Sequence, residues 1–187
     1  MERKLELKDI AGYLPNRLQS IEIDDESCIY DLTKISLFQG IFKVGICRQI
    51  NNDFFDEGEI CIEETTPILR PLSDLYKTTT HDGKAIIPIV ELAKIAFPNK
   101  KFELERDKCP IACIRNDDGD IVSQFSYYEY FYFVEFSGYR TKPNMSINIK
   151  NQYKLFDYLN ELKIDYRGLI DAGVAVSVYD LDNNPYK

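Results

Sequence analysis

The sequence predicts an α+β fold: a single antiparallel, β-rich domain, built as a twisted sheet or partly open barrel, with two or three packed helices. Three observations predict it. The stretch Phe125-Ser-Tyr-Tyr-Glu-Tyr-Phe-Tyr-Phe-Val-Glu-Phe136 is dense in residues whose bulk suits a pleated surface better than a helix turn. Residues 17–64 alternate short apolar runs with turn signals, as an antiparallel meander does. Two later segments, 88–97 and 151–163, place apolar side chains at helical spacing.

In chain order, apolar groups at Leu7, Ile10, Tyr13 and Leu14 suit a short amphipathic helix that Pro15 would stop. Strands are expected at Ser20–Ile23, Ser27–Leu32, Ile35–Phe38, Phe42–Ile50 and Glu59–Glu64. Asp24–Glu26, Gln39-Gly40 and Asn51–Gly58 supply the turns. In Pro67-Ile-Leu-Arg-Pro-Leu-Ser-Asp-Leu75, Pro71 opens a helical turn that stacks Leu72, Leu75 and Tyr76. Arg70, between two prolines, is expected to form a structural ion pair with a carboxylate.

Residues 77–83, Lys-Thr-Thr-Thr-His-Asp-Gly, read as a polar and mobile loop. Pro88–Phe97 reads as a helix with Ile89, Leu92, Ala93, Ala96 and Phe97 facing inward. Strand-like runs follow at Lys101–Glu105 and Pro110–Arg115, and Asn116-Asp-Asp-Gly-Asp120 is a hairpin turn into Ile121–Ser126. Asn151–Lys163 is a helix burying Leu155, Phe156, Leu159 and Leu162. Asp165 caps a last short helix through Ala172 that Gly173 closes, and Val174–Tyr179 ends as a strand. The whole, residues 1–187, is expected to be one domain, with an acidic β meander at 1–75 and a helix–strand–helix part at 84–187.

Residues 125–139 carry nine of the chain's Tyr and Phe residues, of which there are 13 and 11. Residues 125–136 are expected to form one long strand, or two short strands broken by a bend. Successive side chains on a strand point to opposite faces. The even positions are then Tyr128, Tyr130, Tyr132, Val134 and Phe136. The odd ones are Phe125, Tyr127, Glu129, Phe131, Phe133 and Glu135. Because the odd face carries both glutamates, it is expected to be the wetter one. The even face is expected under the helix at 151–163, with the helix at 88–97 as a second layer. The competing reading leaves Tyr128, Tyr130, Tyr132 and Tyr139 as a partner surface, since tyrosine offers large contact area with a polar tip.

Charge excludes some partners. The net charge is −8, and residues 1–75 hold 15 Asp/Glu against 8 Lys/Arg. Phosphate-backbone binding needs concentrated Lys and Arg, so direct nucleic-acid binding is not expected. Residues 137–156 run the other way, with Arg140, Lys142, Lys150 and Lys154 and no carboxylate; a solvated face accounts for them. There is no run of 18 apolar residues, so no membrane association is expected. The opening Met-Glu-Arg-Lys-Leu-Glu-Leu-Lys lacks the apolar core of a secretion signal, which predicts a cytoplasmic protein.

No catalytic, cofactor-binding or metal-ligating set emerges, and no cofactor is expected. His81 is the only histidine, which removes every motif that needs two, and its loop makes a solvated side chain the plainer reading. The five cysteines (Cys28, Cys47, Cys61, Cys109, Cys113) are irregularly spaced and are expected reduced and buried. Asp180-Leu-Asp-Asn-Asn184 begins like a calcium loop, but Pro185 occupies the glycine position. Asp56, Glu57 and Glu59 could pair for hydrolysis; in a chain with 31 acidic residues they read as loop solubilisers.

Three segments carry a resemblance. They are Leu5-Glu-Leu-Lys-Asp-Ile-Ala-Gly-Tyr-Leu-Pro15, Pro67-Ile-Leu-Arg-Pro-Leu-Ser-Asp-Leu75, and Lys154-Leu-Phe-Asp-Tyr-Leu159 with Asp165-Tyr-Arg-Gly-Leu-Ile-Asp-Ala-Gly173. In that order they resemble a family of small uncharacterised proteins of Bacteroidetes phages, prophages and mobile elements. The match covers under a quarter of the chain and brings no activity or site residue. It implies a phage-associated setting in a bacterial host cytoplasm. The function expected is therefore a non-enzymatic accessory protein with a protein partner, from host or phage, and with homo-oligomerisation left open. The alternatives are an acidic nucleic-acid mimic or inhibitor of a host protein, a virion or assembly component, and a small enzyme without a recognisable motif.

Overall fold

The computed structural model describes residues 3–22, 25–51, 54–106, 110–136, 143–147, 149 and 151–186. Strand makes up 41% and helix 22%, an α+β architecture in which no sheet closes into a barrel. Along the chain run α1 (Leu7–Ile10), β1 (Gln19–Glu22), β2 (Asp25–Phe38), β3 (Ile41–Asn51), β4 (Phe54–Cys61) and β5 (Thr65–Leu69). Next come β6 (Thr79–His81), β7 (Lys84–Ile86), α2 (Pro88–Ala96), β8 (Glu103–Glu105) and β9 (Ile111–Arg115). The chain continues with β10 (Ile121–Tyr128), β11 (Tyr130–Phe136), β12 (Pro143–Ile147), α3 (Gln152–Glu161) and β13 (Val176–Ser177). Contacts divide it into two compact units, Met1–Leu72 with Leu159–Lys187, and Ser73–Tyr158. The first boundary falls close to the end of the acidic meander, while the C-terminal segment returns to the first unit.

In the first unit a six-stranded sheet runs in the order β13-β5-β1-β2-β3-β4. Every pairing is antiparallel except β13 on β5, where Val176 and Ser177 lie parallel to Ile68 and Leu69. β2 is one continuous strand where two were expected; the register shifts between Leu32 and Lys34, so a bulge replaces the break. Gln39 and Gly40 both have positive φ (51° and 81°), the geometry of a tight hairpin turn that matches strand twist. The expected loop at 51–58 is largely strand β4, paired with β3.

One face of this sheet buries Leu32, Val44 and Leu69 with Ile10, Tyr13 and Leu169. The Tyr13 hydroxyl donates to the Ile164 carbonyl at 2.9 Å, which satisfies the polar tip of a fully buried ring. A smaller cluster holds Ile21, Ile68 and Val178. Asp165 accepts from the backbone N–H of Leu169 (2.9 Å) and Ile170 (2.8 Å), so it caps as expected. The residues it caps form turns, however, not the expected helix, and Gly173 (φ 71°) closes them. The final strand is shorter than Val174–Tyr179, being only Val176–Ser177.

Arg70 is buried, but its partner corrects the expected carboxylate. Its Nη2 donates to the carbonyl of Tyr186 at 2.9 Å, and its guanidinium stands 5.9 Å from the Tyr186 ring centroid. Lys163 Nζ lies 5.5 Å from the same centroid. The Tyr186 hydroxyl accepts from Gln19 N–H (3.1 Å) and donates to the Ile68 carbonyl (2.9 Å). An aromatic ring with two cations and two strand backbones thus clasps the C-terminal segment to β1 and β5.

In the second unit a five-stranded antiparallel sheet runs β12-β11-β10-β9-β8. Pro88 opens α2 at its first turn, as its fixed φ and missing N–H allow, and Ile89, Leu92 and Ala93 are buried. Residues 79–86 form a small hairpin instead of the expected mobile loop. Asp82 (φ 48°) and Gly83 (φ 72°) make its turn, and Thr79 pairs with Ile86. Pro71 is followed, as expected, by a helical turn of 3-10 type, Leu72–Tyr76; Leu75 is buried in it, whereas Leu72 is exposed.

Candidate interaction surface

The aromatic stretch is a hairpin. Tyr128 pairs with Tyr130, Ser126 with Tyr132, and Phe125 with Phe133, so the chain reverses at Glu129. Glu129 takes a left-handed backbone (φ 58°), which a single turn residue needs to reverse two strands this tightly. Reversal keeps odd positions on one face and even positions on the other across both strands.

The odd face is the buried one, contrary to expectation. Phe125, Phe131 and Phe133 are essentially inaccessible. Phe97, at the end of α2, stands 4.3 Å from the Phe133 ring centroid, and Phe156, on α3, stands 5.6 Å from that of Phe131. Phe125 stacks on Phe131 at 5.5 Å with planes 17° apart. Both helices therefore supply aromatic side chains to the same face. The glutamates do not prevent this. Glu129 occupies the turn and is exposed, and Glu135 lies half-buried near the strand end, held by Lys100 Nζ at 2.6 Å. Lys100 also stands over the Phe133 ring at 4.9 Å.

Gln152 fixes the hairpin from outside. Its Nε2 donates to the Phe131 carbonyl at 2.6 Å and its Oε1 accepts from Phe131 N–H at 3.2 Å. One amide side chain thus satisfies both edge-facing backbone groups of Phe131, as a neighbouring strand would.

The even face carries the tyrosines outward. Tyr128 is 73% exposed and Tyr130 58%, while Tyr132 is half-buried. Tyr130 and Tyr132 meet edge-to-face at 6.4 Å, so they brace each other. The fourth residue expected on this surface, Tyr139, lies outside the described residues. Two large aromatic rings are therefore held out into solvent on a strand pair whose opposite face is locked in an aromatic core. Such a surface contacts a partner at little cost in ordering.

The other candidates resolve into local structure. His81 is in strand β6, and its ring packs edge-on to Tyr158 at 6.1 Å, so it is partly covered where solvation was expected. Cys113 is buried, and burial pushes its thiol up. Cys28, Cys47 and Cys61 are half-buried where burial was expected, and Cys109 lies outside the described residues. Arg48 Nη1 donates to Cys28 Sγ at 2.9 Å. Asn184 Oδ1 accepts from Tyr186 N–H, so the calcium-like stretch uses that side chain to shape a turn, and Asn116 Oδ1 accepts from Asp120 N–H in the hairpin turn. Glu59 pairs with Lys34 at 2.9 Å, and that hydrogen bond and charge hold its carboxyl below the usual range.

The sequence reading missed an apolar tip on the other unit. Ile35, Leu37, Phe38, Ile41 and Phe42, around the β2–β3 turn, are all exposed. Short apolar runs flanking a turn, such as Leu37-Phe38 and Ile41-Phe42, read as strand ends to be covered and give no sign of it. Among known proteins, no family model, curated protein or solved structure matches the chain.

Proposed function

We propose that this protein is a phage-associated, non-enzymatic accessory protein that binds another protein through the tyrosine hairpin at 128–132. The observation that carries the reading is the exposure of Tyr128 and Tyr130 on a hairpin whose Phe face is anchored in the core. Tyrosine is enriched among residues that dominate binding energy, because one ring supplies area, rigidity and a hydrogen-bonding tip. The phage setting is supported by the resemblance of the three short segments described above. Mimicry of nucleic acid by the acidic first unit ranks lower. Glu6, Glu59 and Glu63 are engaged with the chain's own Lys8, Lys34 and Lys4, which thins the negative field.

The test is capture followed by titration. A photo-cross-linking residue at 128 or 130, in the host cytoplasm, should trap one protein. The purified partner should bind the wild-type chain roughly tenfold or more tightly than Tyr128→Ala/Tyr130→Ala. Equal binding by the double variant overturns the reading. Binding that dissolves at high salt and ignores the tyrosines points instead to mimicry.

A further inference from the structure

We propose that Arg70 holds an anion site, and that its ligand is a small oxyanion, a phosphoryl or carboxylate group. The starting point is a buried charge without a counter-charge. Arg70 is 7% exposed, yet among the described residues its side chain makes one hydrogen bond, from Nη2 to the Tyr186 carbonyl. Its other contact is the Tyr186 ring. Arginine keeps its proton at every ordinary pH and carries five N–H donors. One carbonyl and one aromatic ring return less than a guanidinium loses on leaving water. Buried charges are for this reason paired, and Arg70 has no carboxylate partner among the described residues.

The carboxylates of this region are engaged elsewhere. Asp165, next to the Arg70–Ile164 bridge, directs both oxygens at the N–H groups of Leu169 and Ile170. Asp31 accepts from Gln19 Nε2 at 2.7 Å. The backbone, meanwhile, fixes Arg70 at the end of β5. Its N–H donates to the Lys163 carbonyl and its own carbonyl accepts from Asp165 N–H, both at 2.8 Å. Leu69 belongs to the larger core cluster and Ile68 to the smaller one, so alternation sets Arg70 on the Ile68 face, where Tyr186 packs. Lys163 brings a second positive charge to the same ring. The N–H groups of Arg70 beyond the one bonded to Tyr186 form a planar fork. Such a fork takes the oxygens of a phosphoryl or carboxylate group in pairs, which a halide cannot match.

This site belongs to the first unit and does not depend on the tyrosine hairpin. The test is urea denaturation of the full chain in sodium phosphate and in sodium chloride at equal ionic strength, beside calorimetric titration with inorganic phosphate. Phosphate at about ten times its dissociation constant should lower the wild-type unfolding constant roughly tenfold. Arg70→Met should lose that effect. Should Arg70→Met fail to fold, Arg70→Lys keeps the charge without the fork and should bind phosphate roughly tenfold more weakly. Sodium acetate in place of phosphate separates the two sources. A response to phosphate alone assigns a phosphoryl group, and a response to acetate assigns a carboxylate. A wild-type chain indifferent to both anions overturns the proposal. So does an equal response in wild type and the Arg70 variant, which is ionic screening only.

Discussion

Gly12 leaves room for Asn160. A Cβ placed on Gly12 would lie 2.6 Å from Asn160 Nδ2 and 3.0 Å from its Cγ, closer than packed atoms tolerate. Asn160 is buried on α3, and its Oδ1 has no hydrogen-bond partner among the described residues. The glycine is therefore required for space, since its backbone is not in the left-handed region.

Gly12→Ala should accordingly destabilise the protein by about 1–3 kcal/mol, the usual cost of overpacking. Asn160→Ala should recover part of that loss, giving a favourable coupling in a double-mutant cycle by urea denaturation. Additive losses would show that the two residues are independent.

Alkaline pH should unfold the protein through its buried phenols. Burial pushes the Tyr13 hydroxyl well above its ordinary value, and the Tyr186 hydroxyl rises for the same reason. In the unfolded chain both ionise near pH 10 while the folded chain keeps its protons, so the unfolded state binds fewer protons and stability falls as pH rises. The slope is about 1.4 kcal/mol per pH unit for each such tyrosine, beginning around pH 10. Tyr13→Phe should cost about 1 kcal/mol at neutral pH, because the Ile164 carbonyl loses its donor, and should flatten the alkaline fall. Chemical denaturation on both sides of pH 10 measures both effects.

Glu129 sustains the hairpin reversal in a backbone conformation that L-residues adopt at a cost of about 1 kcal/mol. Glu129→Gly should raise stability by a fraction of that cost, with added unfolded-state entropy offsetting the rest. Glu129→Val should lower it, because a β-branched residue fits positive φ poorly. Thermal unfolding of the pair gives the comparison. Should both variants unfold like the wild type, the reversal at 129 is not a point of strain.

Where the sequence spoke through local chemistry it was legible. Gln39-Gly40 and Asn116–Asp120 turn where their residue types demand, Pro88 opens α2, and Asp165 caps the turns that follow it. Asp82-Gly83 carried an equally good hairpin signal, obscured by the polar threonines around it. The orientation of the aromatic hairpin was harder, because Glu129 and Glu135 fall at the same parity as Phe125, Tyr127, Phe131 and Phe133 and so mark that face as the wet one. Position decides otherwise: Glu129 is in the turn and belongs to neither face, and Lys100 accommodates Glu135. Phenylalanine has no hydroxyl to satisfy, so its face goes inward while the tyrosines keep theirs in water. The exposed tip at 35–42 was illegible for another reason. Its apolar residues come in consecutive pairs, Leu37-Phe38 and Ile41-Phe42, as in a strand covered on both faces, and only three-dimensional packing reveals that they are exposed.

The first unit is assembled from both ends of the chain, with residues 73–158 between its two parts. During synthesis the strands β1–β5 leave the ribosome early, yet β5 must wait for β13 to take its outer edge and for Tyr186 to reach Gln19 and Ile68. At roughly 5–20 residues per second that interval lasts several seconds or longer. The contiguous second unit can finish folding within it, while an open edge and a half-built core remain exposed in the nascent first unit. The vectorial order of translation thus makes β13 and Tyr186 the completing step of a sheet begun with β1.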